Sequence, residues 1–235
     1  MRRRLILALS IMGCGSAAAQ ATSDFPYGPN HVFAAFRNGE KIGTHSLSFQ
    51  QNGDKRTVTT SIDFAVKAMG FVMYRYNHRG QEIWNGNTFE SIATQTDDNG
   101  TRYTLKARHE PGGVSVVREG DGAGPRVAAN DAGFQQGMAK QVTLPANTLP
   151  TTHWNLNQVK QSAILNTQNG ALAKIRVTPR GRETIKTASG KSLEATRYSY
   201  SGDVEMDQWF DDRGRWVKAS FKASDGSTIE YILQE

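Results

Sequence analysis

The sequence predicts a mostly β protein, built as a strongly curved antiparallel sheet or a full or half β-barrel, with one short helix and one long loop. Asn-Gly and Asp-Gly pairs recur at positions 38–39, 52–53, 99–100 and 225–226, each between runs in which apolar and polar residues alternate. Such pairs adopt the positive φ angles of tight hairpin turns, and this alternation is typical of strands with one buried face. Repeated hairpins favour antiparallel pairing.

The chain begins with a segment that has the features of an export signal. Three arginines at 2–4 precede a short apolar run at 5–12, and Ala19-Gln20-Ala21 matches an A-x-A cleavage site. The apolar run is far shorter than the roughly 20 residues that span a bilayer. We therefore expect residues 1–21 to be a removed signal peptide and the protein to be periplasmic.

Cys14 offers an alternative to this simple cleavage. Residues 11–14 loosely match the motif that precedes a lipid-modified cysteine in bacterial lipoproteins. Modification there would anchor the protein to a membrane through Cys14. Under either reading, no cysteine is left to form a disulfide within the fold, since Cys14 is the only one in the sequence.

Residues 22–235 are expected to form a single antiparallel β domain, because no change of composition marks a second one. Without the three leading arginines, 25 basic residues stand against 22 acidic ones. The basic residues are scattered along the chain and form no stripe, so nucleic acid is not an expected partner. Protein partners cannot be named from these residues.

The first strands follow from alternation around the turn at 38–39, with Val32, Ala34 and Phe36 before it and Leu47 and Phe49 after it. The longest alternating run covers residues 58–76 and is expected to bend at Gly70, since strands usually hold only about 5–6 residues.

The second face of that run is polar at first and then becomes apolar at Met69, Phe71 and Met73. Something must cover these three side chains, and a helix, a loop or a ligand would each do so.

Two further elements follow the run. Residues 119–150 are rich in glycine and proline and lack a strand pattern, which predicts an irregular, lid-like loop. Thr151 or Thr152 can cap a short helix over 153–165, where a modest helical stripe of apolar residues occurs. This helix is the plainest candidate for covering the apolar face. The C-terminal runs, 217–221 and 229–233, again alternate as strands do.

Several strings resemble an uncharacterised family of exported proteins of Gram-negative bacteria, classified as a domain of unknown function. The resemblance covers nearly the whole chain after the signal and brings no established activity. A sister family similar to curved periplasmic β-barrels implies the same general shape here. The strings that carry it are Tyr74-Arg75-Tyr76, Glu82-Ile83-Trp84, Thr96-Asp97-Asp98-Asn99-Gly100, His153-Trp154-Asn155, Thr178-Pro179 with Gly181-Arg182-Glu183, and Asp225-Gly226-Ser227-Thr228-Ile229-Glu230-Tyr231.

No catalytic residue, metal site or cofactor is predicted. There is no G-x-S-x-G elbow, no H-E-x-x-H and no phosphate-cradling glycine loop. The five histidines are scattered singly and are interpreted as surface or packing residues. Glu82 and Asp207 are a candidate acid and base for sugar hydrolysis. Each could instead form an ion pair with a nearby arginine.

The preferred hypothesis is a periplasmic, non-catalytic binding or carrier module for a lipid or another apolar small molecule. Met69, Phe71, Met73 and Trp154 are the expected ligand-binding residues, because methionine and aromatic side chains adapt to apolar ligands. One alternative is a structural protein of the cell envelope whose barrel is filled by its own side chains. The other is an envelope glycan hydrolase that uses Glu82 and Asp207.

Overall fold

One sheet contains every strand found in residues 25–120 and 140–235, the parts of the chain described by the computed structural model. Its strands are β1 (Asn30–Arg37), β2 (Glu40–Asn52), β3 (Lys55–Ala68), β4 (Phe71–Asn85), β5 (Thr88–Asp98), β6 (Thr101–Glu110), β7 (Gly113–Gly120), β8 (Lys140–Leu144), β9 (Leu149–Pro150), β10 (Ala163–Leu165), β11 (Leu172–Lys186), β12 (Ser192–Gly202), β13 (Met206–Asp211), β14 (Trp216–Lys222) and β15 (Thr228–Leu233). One short 3₁₀-helix, Leu156–Lys160, lies between β9 and β10.

The sheet is organised around the pairing of its first and last strands. β1 and β15 lie side by side, with Phe33 opposite Leu233 and Ala35 opposite Tyr231. From this centre, β2 to β8 extend to one side and β14 down to β9 extend to the other. Neighbouring strands are antiparallel except for the short β9–β10 pair, which is parallel. The predicted curved antiparallel sheet is confirmed.

The two outer strands of this sheet, β8 and β9, are consecutive in the chain. Only residues 145–148 connect them, and the Thr148 amide donates to the Pro145 carbonyl over 3.0 Å in a tight turn. The sheet must therefore curl until its edges approach each other. No ladder joins β8 to β9 in the described residues, so the result is an unclosed, barrel-like sheet.

The long alternating run at 58–76 is a hairpin rather than one bent strand. Met69 and Gly70 have φ angles of 49° and 84° and form the turn between β3 and β4. Two successive positive φ angles are the signature of the turn type that matches strand twist. The prediction of a kink at Gly70 was wrong because Met69, with its Cβ, carries no sequence signal for such a turn.

The predicted helix over 153–165 was also wrong in extent and type. The structure has the five-residue 3₁₀-helix, which Asn155 caps by accepting a hydrogen bond from the Asn157 amide over 3.0 Å. Gln161 then leaves the helical region, and Ile164 and Leu165 join β10. Asn and β-branched residues favour a helix only weakly, so pairing with β11 prevails over the apolar stripe.

The predicted loop over 119–150 is only partly irregular. Its first residues complete β7, and Lys140–Leu144 and Leu149–Pro150 are strands. Residues 121–139 lie outside the described part of the chain, as does the predicted signal peptide.

Residues 151–170 run through the inside of the curved sheet, and we call them the plug segment. Trp154 packs edge-on against Trp84 of β4, with ring centroids 5.2 Å apart. The His153 ring lies 5.1 Å from that of Trp216 on β14, and the Thr167 carbonyl accepts a 2.7 Å hydrogen bond from Thr94 of β5. These contacts reach both halves of the sheet, so the plug segment, apart from its short strand β10, crosses the interior.

The remaining interior is packed with large side chains that point in from opposite strands. Trp84, Trp216 and Phe33 are fully enclosed, and Leu105 and Leu233 are similarly buried. The interior groove expected from the sequence is therefore occupied by the chain itself.

Candidate functional site

A cleft of about 500 Å³ opens at one end of the packed interior. Phe25, Tyr27, Trp84 and Trp154 supply its aromatic lining. Its rim includes the turn after β4, the start of the 3₁₀-helix and the turn between β13 and β14. This volume falls within the roughly 300–1,000 Å³ typical of small-molecule pockets.

The aromatic lining is held rigidly. The Tyr27 hydroxyl donates to the Trp154 carbonyl over 2.6 Å and accepts from the Trp216 amide over 2.8 Å. Tyr27 also stacks on Phe49, with centroids 4.7 Å apart. Phe25 lies edge-on to Trp154 at 6.0 Å. The cleft wall is thus formed by rings with little freedom to rearrange.

Arg56 places a positive charge in this aromatic surrounding. Its guanidinium carbon lies 3.7 Å from the centroid of the Phe25 ring, and the residue is only 5% exposed. Nε donates to the Gln51 side chain over 2.9 Å and Nη1 donates to the Gly86 carbonyl over 3.3 Å. Burial lowers the pKa of this guanidinium. In the parts of the chain described, no carboxylate forms an ion pair with it.

The charges around the rim of the cleft are unequal. Arg213 is exposed beside Gly214, and Asp54 is the one acidic residue of the lining. With Arg56, the lining carries two cations and one anion. A poorly hydrated cation against aromatic walls favours an acidic group on any molecule that occupies the cleft.

Glu82 lies behind the indoles and is completely buried. Its carboxylate accepts hydrogen bonds from Trp84 Nε1 over 2.8 Å, from Trp154 Nε1 over 3.2 Å and from the Thr152 hydroxyl over 3.2 Å. Burial raises the pKa of Glu82 to about 7, and the three donors oppose part of that increase. This carboxylate joins β4 to the plug segment and orients the two rings towards the cleft.

The hydrolase hypothesis is contradicted by the position of Asp207. Along β13, Gln208 points inward to His153, so Asp207 points to the outer face. There it accepts hydrogen bonds from Arg197 over 2.7 Å and from Ser199 over 2.5 Å. Glu82 and Asp207 therefore lie on opposite faces of the sheet and cannot flank one glycosidic bond.

Four of the five histidines belong to the interior rather than to the surface. His31, His45 and His78 are buried, and His153 is partly buried on the plug segment. Burial lowers the pKa of His78 and of His153 to about 4, and it lowers those of His31 and His45 as well. These imidazoles are neutral at physiological pH and act as packing residues. His109 is exposed.

The structure does not bring the predicted binding residues together. Met69, Phe71 and Met73 are 95%, 74% and 63% exposed at the turn between β3 and β4, whereas Trp154 is 5% exposed inside the sheet. In residues 25–120 and 140–235, no helix covers the three residues near the turn. Only Trp154 lines the cleft, so the four residues do not form one ligand site in this structure.

Arg56, Phe25 and Tyr27 are the parts of the cleft that the sequence reasoning missed. A signal for Arg56 was present, because it shares the inward-facing alternation of Val58, Thr60 and Ile62 on β3. A charged residue in such a row is unusual and points to a specific environment. Phe25 and Tyr27 precede the first strand, where no periodicity marks them.

In residues 25–120 and 140–235, no group of three His, Cys, Asp or Glu side chains is arranged to hold a metal ion. Within the same ranges, no helix is both long enough and apolar enough to span a membrane.

Comparison with known proteins shows the family and supports the fold. A crystal structure of a β-barrel-like protein of domain of unknown function DUF1849 from Brucella abortus is similar, with a TM-score of 0.56 and 8% identity over 88% of this chain and 95% of that one. No curated protein matches the sequence. The model of the domain of unknown function DUF6134 matches residues 33–234. The chain therefore belongs to the DUF6134 family.

Proposed function

We propose that the protein is a non-catalytic binding module of the bacterial cell envelope, exported to the periplasm, that holds a lipid-like molecule with an acidic headgroup in the end cleft. The observation that carries this proposal is the buried Arg56 guanidinium, which lies on an aromatic wall without a carboxylate partner among the described residues. An amphipathic anion would supply a counter-charge to Arg56 and cover the partly exposed Phe25 ring.

The end cleft replaces the central groove as the site of binding. The plug segment and the enclosed tryptophans occupy the interior, whereas the cleft remains open between the plug segment and two turns. A ligand there could enter and leave without unfolding the sheet. A carrier role requires such exchange.

The first test uses the protein made with its own N-terminal segment in a Gram-negative host. Intact mass then separates cleavage after Ala21 from lipid attachment at Cys14. Lipid extraction and mass spectrometry of the same sample are expected to find a bound acidic amphiphile. Protein that is free of lipid and does not bind a fluorescent long-chain fatty acid would contradict the proposal.

A charge reversal locates the binding site. Arg213→Glu on the cleft rim is expected to weaken binding of the fluorescent fatty acid by about tenfold, because an attraction near the headgroup becomes a repulsion. Arg108→Glu makes the same change at an exposed position of β6 outside the cleft lining and is expected to leave binding unchanged. Equal effects of the two substitutions would place the ligand elsewhere.

The packed interior favours a second candidate, a structural component of the envelope whose barrel is filled by its own side chains. In that case the purified protein carries no lipid, and loss of its gene sensitises cells to detergent. Arg213→Glu would then rescue the defect as well as the unaltered protein does. Rescue that depends on Arg213 would instead support ligand binding.

A further inference from the structure

The end of the β3–β4 hairpin extends beyond the neighbouring strands, and we call residues 65–75 the ribbon tip. β2 pairs with β3 only as far as Phe64, and β5 pairs with β4 only from Tyr76 onward. Beyond these points the two strands pair with each other, up to Ala68 opposite Phe71. The base of the ribbon tip is tied to the end of β5, because the Asn99 amide donates to the Arg75 carbonyl over 2.8 Å and the Tyr74 hydroxyl donates to Asp98. At about 3.3 Å per residue, the ribbon tip projects by about 15 Å.

All the large apolar side chains that are exposed in the described residues lie on the ribbon tip. Met69, Phe71, Val72 and Met73 are all more than 40% exposed, and Met69 is 95% exposed at the turn itself. Isolated exposed apolar residues are ordinary, but a contiguous group at a projecting point usually marks an interaction site.

The two charged side chains of the ribbon tip itself are both cationic. Lys67 and Arg75 are exposed, and no acidic residue occurs between Asp63 and Glu82 in the sequence. Asp63 is already paired with Arg79, at 2.6 Å. The two cations also line a shallow depression of about 460 Å³ at the base of the ribbon tip, together with Asp63, Phe64 and Val72.

We propose that the ribbon tip docks on a membrane that contains anionic lipids, with its apolar end inserted among the acyl chains and its two cations at the headgroups. An apolar end with two cations behind it matches the order of acyl chains and anionic headgroups in a lipid surface. The projection is long enough for the 5–10 Å over which interfacial segments penetrate.

The shape of the ribbon tip favours a membrane over a second protein chain. A stable protein interface covers about 800 Å² on each partner and is broad. The ribbon tip is narrow and convex, with four apolar side chains at its end. This site is separate from the end cleft, and either proposal stands if the other fails.

Vesicle flotation tests the proposal with the protein as produced with its own N-terminal segment, so that every variant shares the same N-terminus. The apolar variant combines Met69→Asn, Phe71→Thr and Met73→Thr. Asn accepts the positive φ of position 69, and Thr keeps the preference for a strand. Binding to vesicles that contain phosphatidylglycerol is expected to fall at least about tenfold. The unfolding midpoint is expected to stay unchanged.

A second variant, Lys67→Gln with Arg75→Gln, tests the charges. Its binding to the anionic vesicles is expected to fall about tenfold, while binding to vesicles of phosphatidylcholine alone stays the same. Lys106→Gln with Arg108→Gln removes the same net charge from exposed positions of β6 and is the matched control, which is expected to bind as the unaltered protein does.

Three outcomes would overturn the proposal. The unaltered protein could fail to float with either kind of vesicle, or the apolar variant could float equally well. The third is that the apolar variant changes a dimer into a monomer without changing vesicle binding. That result would assign the ribbon tip to contact with a second copy of the chain.

Discussion

Glu82 is the residue through which the sheet and the plug segment depend on each other. Two indole N–H groups and one hydroxyl point at its carboxylate, and all three are donors. Within the described ranges, none of its hydrogen-bond partners is a cation. A carboxylate that is stabilised only by neutral donors remains costly to ionise, which is why burial raises its pKa to about 7.

Glu82→Gln is expected to gain stability relative to the unaltered protein as the pH rises from 5 to 8. The folded-state pKa of Glu82 is raised, so its contribution to stability is complete below pH 4.5 and is lost as the pH passes through about 7. The difference amounts to about 3 kcal/mol. Glutamine is neutral throughout and keeps an acceptor oxygen for Trp84.

Urea unfolding of both proteins at several pH values measures this change, and Glu119→Gln at an exposed position is the control. Taking the difference between two proteins cancels the histidines, whose lowered pKa values act in the opposite direction below pH 6.5. A difference that is constant with pH would show that Glu82 is ionised at little cost.

At this scale the sequence indicates which residues are unusual but not what they contact. Alternation places Glu82 and Arg56 on inward faces of β4 and β3, where charges are rare. Their partners Trp154, Thr152 and Phe25 come from distant or unpatterned parts of the chain. Alternation also failed at β1, where His31, Phe33 and Ala35 face inward, because both faces of this central strand are largely apolar.

Among the elements, the β2–β3 hairpin depends on a close approach at Gly43. A Cβ atom added there would lie 2.0 Å from the Asp63 carbonyl oxygen and 2.6 Å from Phe64 Cα. Both neighbours are backbone atoms, which cannot move without breaking the ladder. Glycine at position 43 therefore lets β2 approach β3 closely at the last pair of their ladder.

Gly43→Ala is expected to destabilise the protein by about 3 kcal/mol, since backbone would have to shift to admit one methyl group. Thermal or urea unfolding measures the loss. Gly28→Ala is the matched control, because a Cβ there meets nothing within 4 Å and its φ is not positive. Similar stability of both variants would show that the sheet adapts at Gly43 at little cost.

Turns with Asn-Gly could be predicted and the Met69–Gly70 turn could not. Asn38 and Asn99 adopt φ angles of 49° and 52°, and Met69 adopts the same value without the side-chain chemistry that normally favours it. The side chains around this turn instead form the exposed apolar surface of the ribbon tip. The turn preference of Met69 therefore disagrees with the observed hairpin at the point where we propose contact with a membrane.

For the whole molecule, the pairing of β1 with β15 joins two otherwise sequential halves. β15 lies between β1 and β14 and contributes five registered pairs to each. In the described residues, every other pair of adjacent strands in the sheet is also consecutive in the chain. The sheet therefore has one long-range junction, which is at its centre.

Removing residues 225–235 is expected to abolish cooperative unfolding, because it deletes β15 and separates the halves. Near-ultraviolet circular dichroism and urea titration measure the loss. Removing only residues 234–235 is the control, since it costs chiefly the 2.9 Å hydrogen bond from the Gln234 amide to the Val32 carbonyl, about 1 kcal/mol. Two-state unfolding of the shorter chain would show that one half folds alone.

For the whole molecule, the class of fold could be predicted because a hairpin turn depends on a few neighbouring residues, such as an Asn-Gly pair. The plug segment could not, since its strand and 3₁₀-helix are short and its contacts are made with β2, β4, β5 and β14. The same segment determines whether the barrel is hollow. Whether side chains fill the interior depends on contacts between residues that are far apart in the sequence. The periodicity of the sequence does not show such contacts.

The central junction also affects how the chain is made. Synthesis delivers a polypeptide from its N-terminus, so β15 emerges after the other strands of the sheet. Until it arrives, β1 presents a bare row of amide and carbonyl groups at the middle of an unfinished sheet, which is a ready template for wrong pairing. A chain that ends before β15 is complete leaves this gap open, so β1 stays available for wrong pairing.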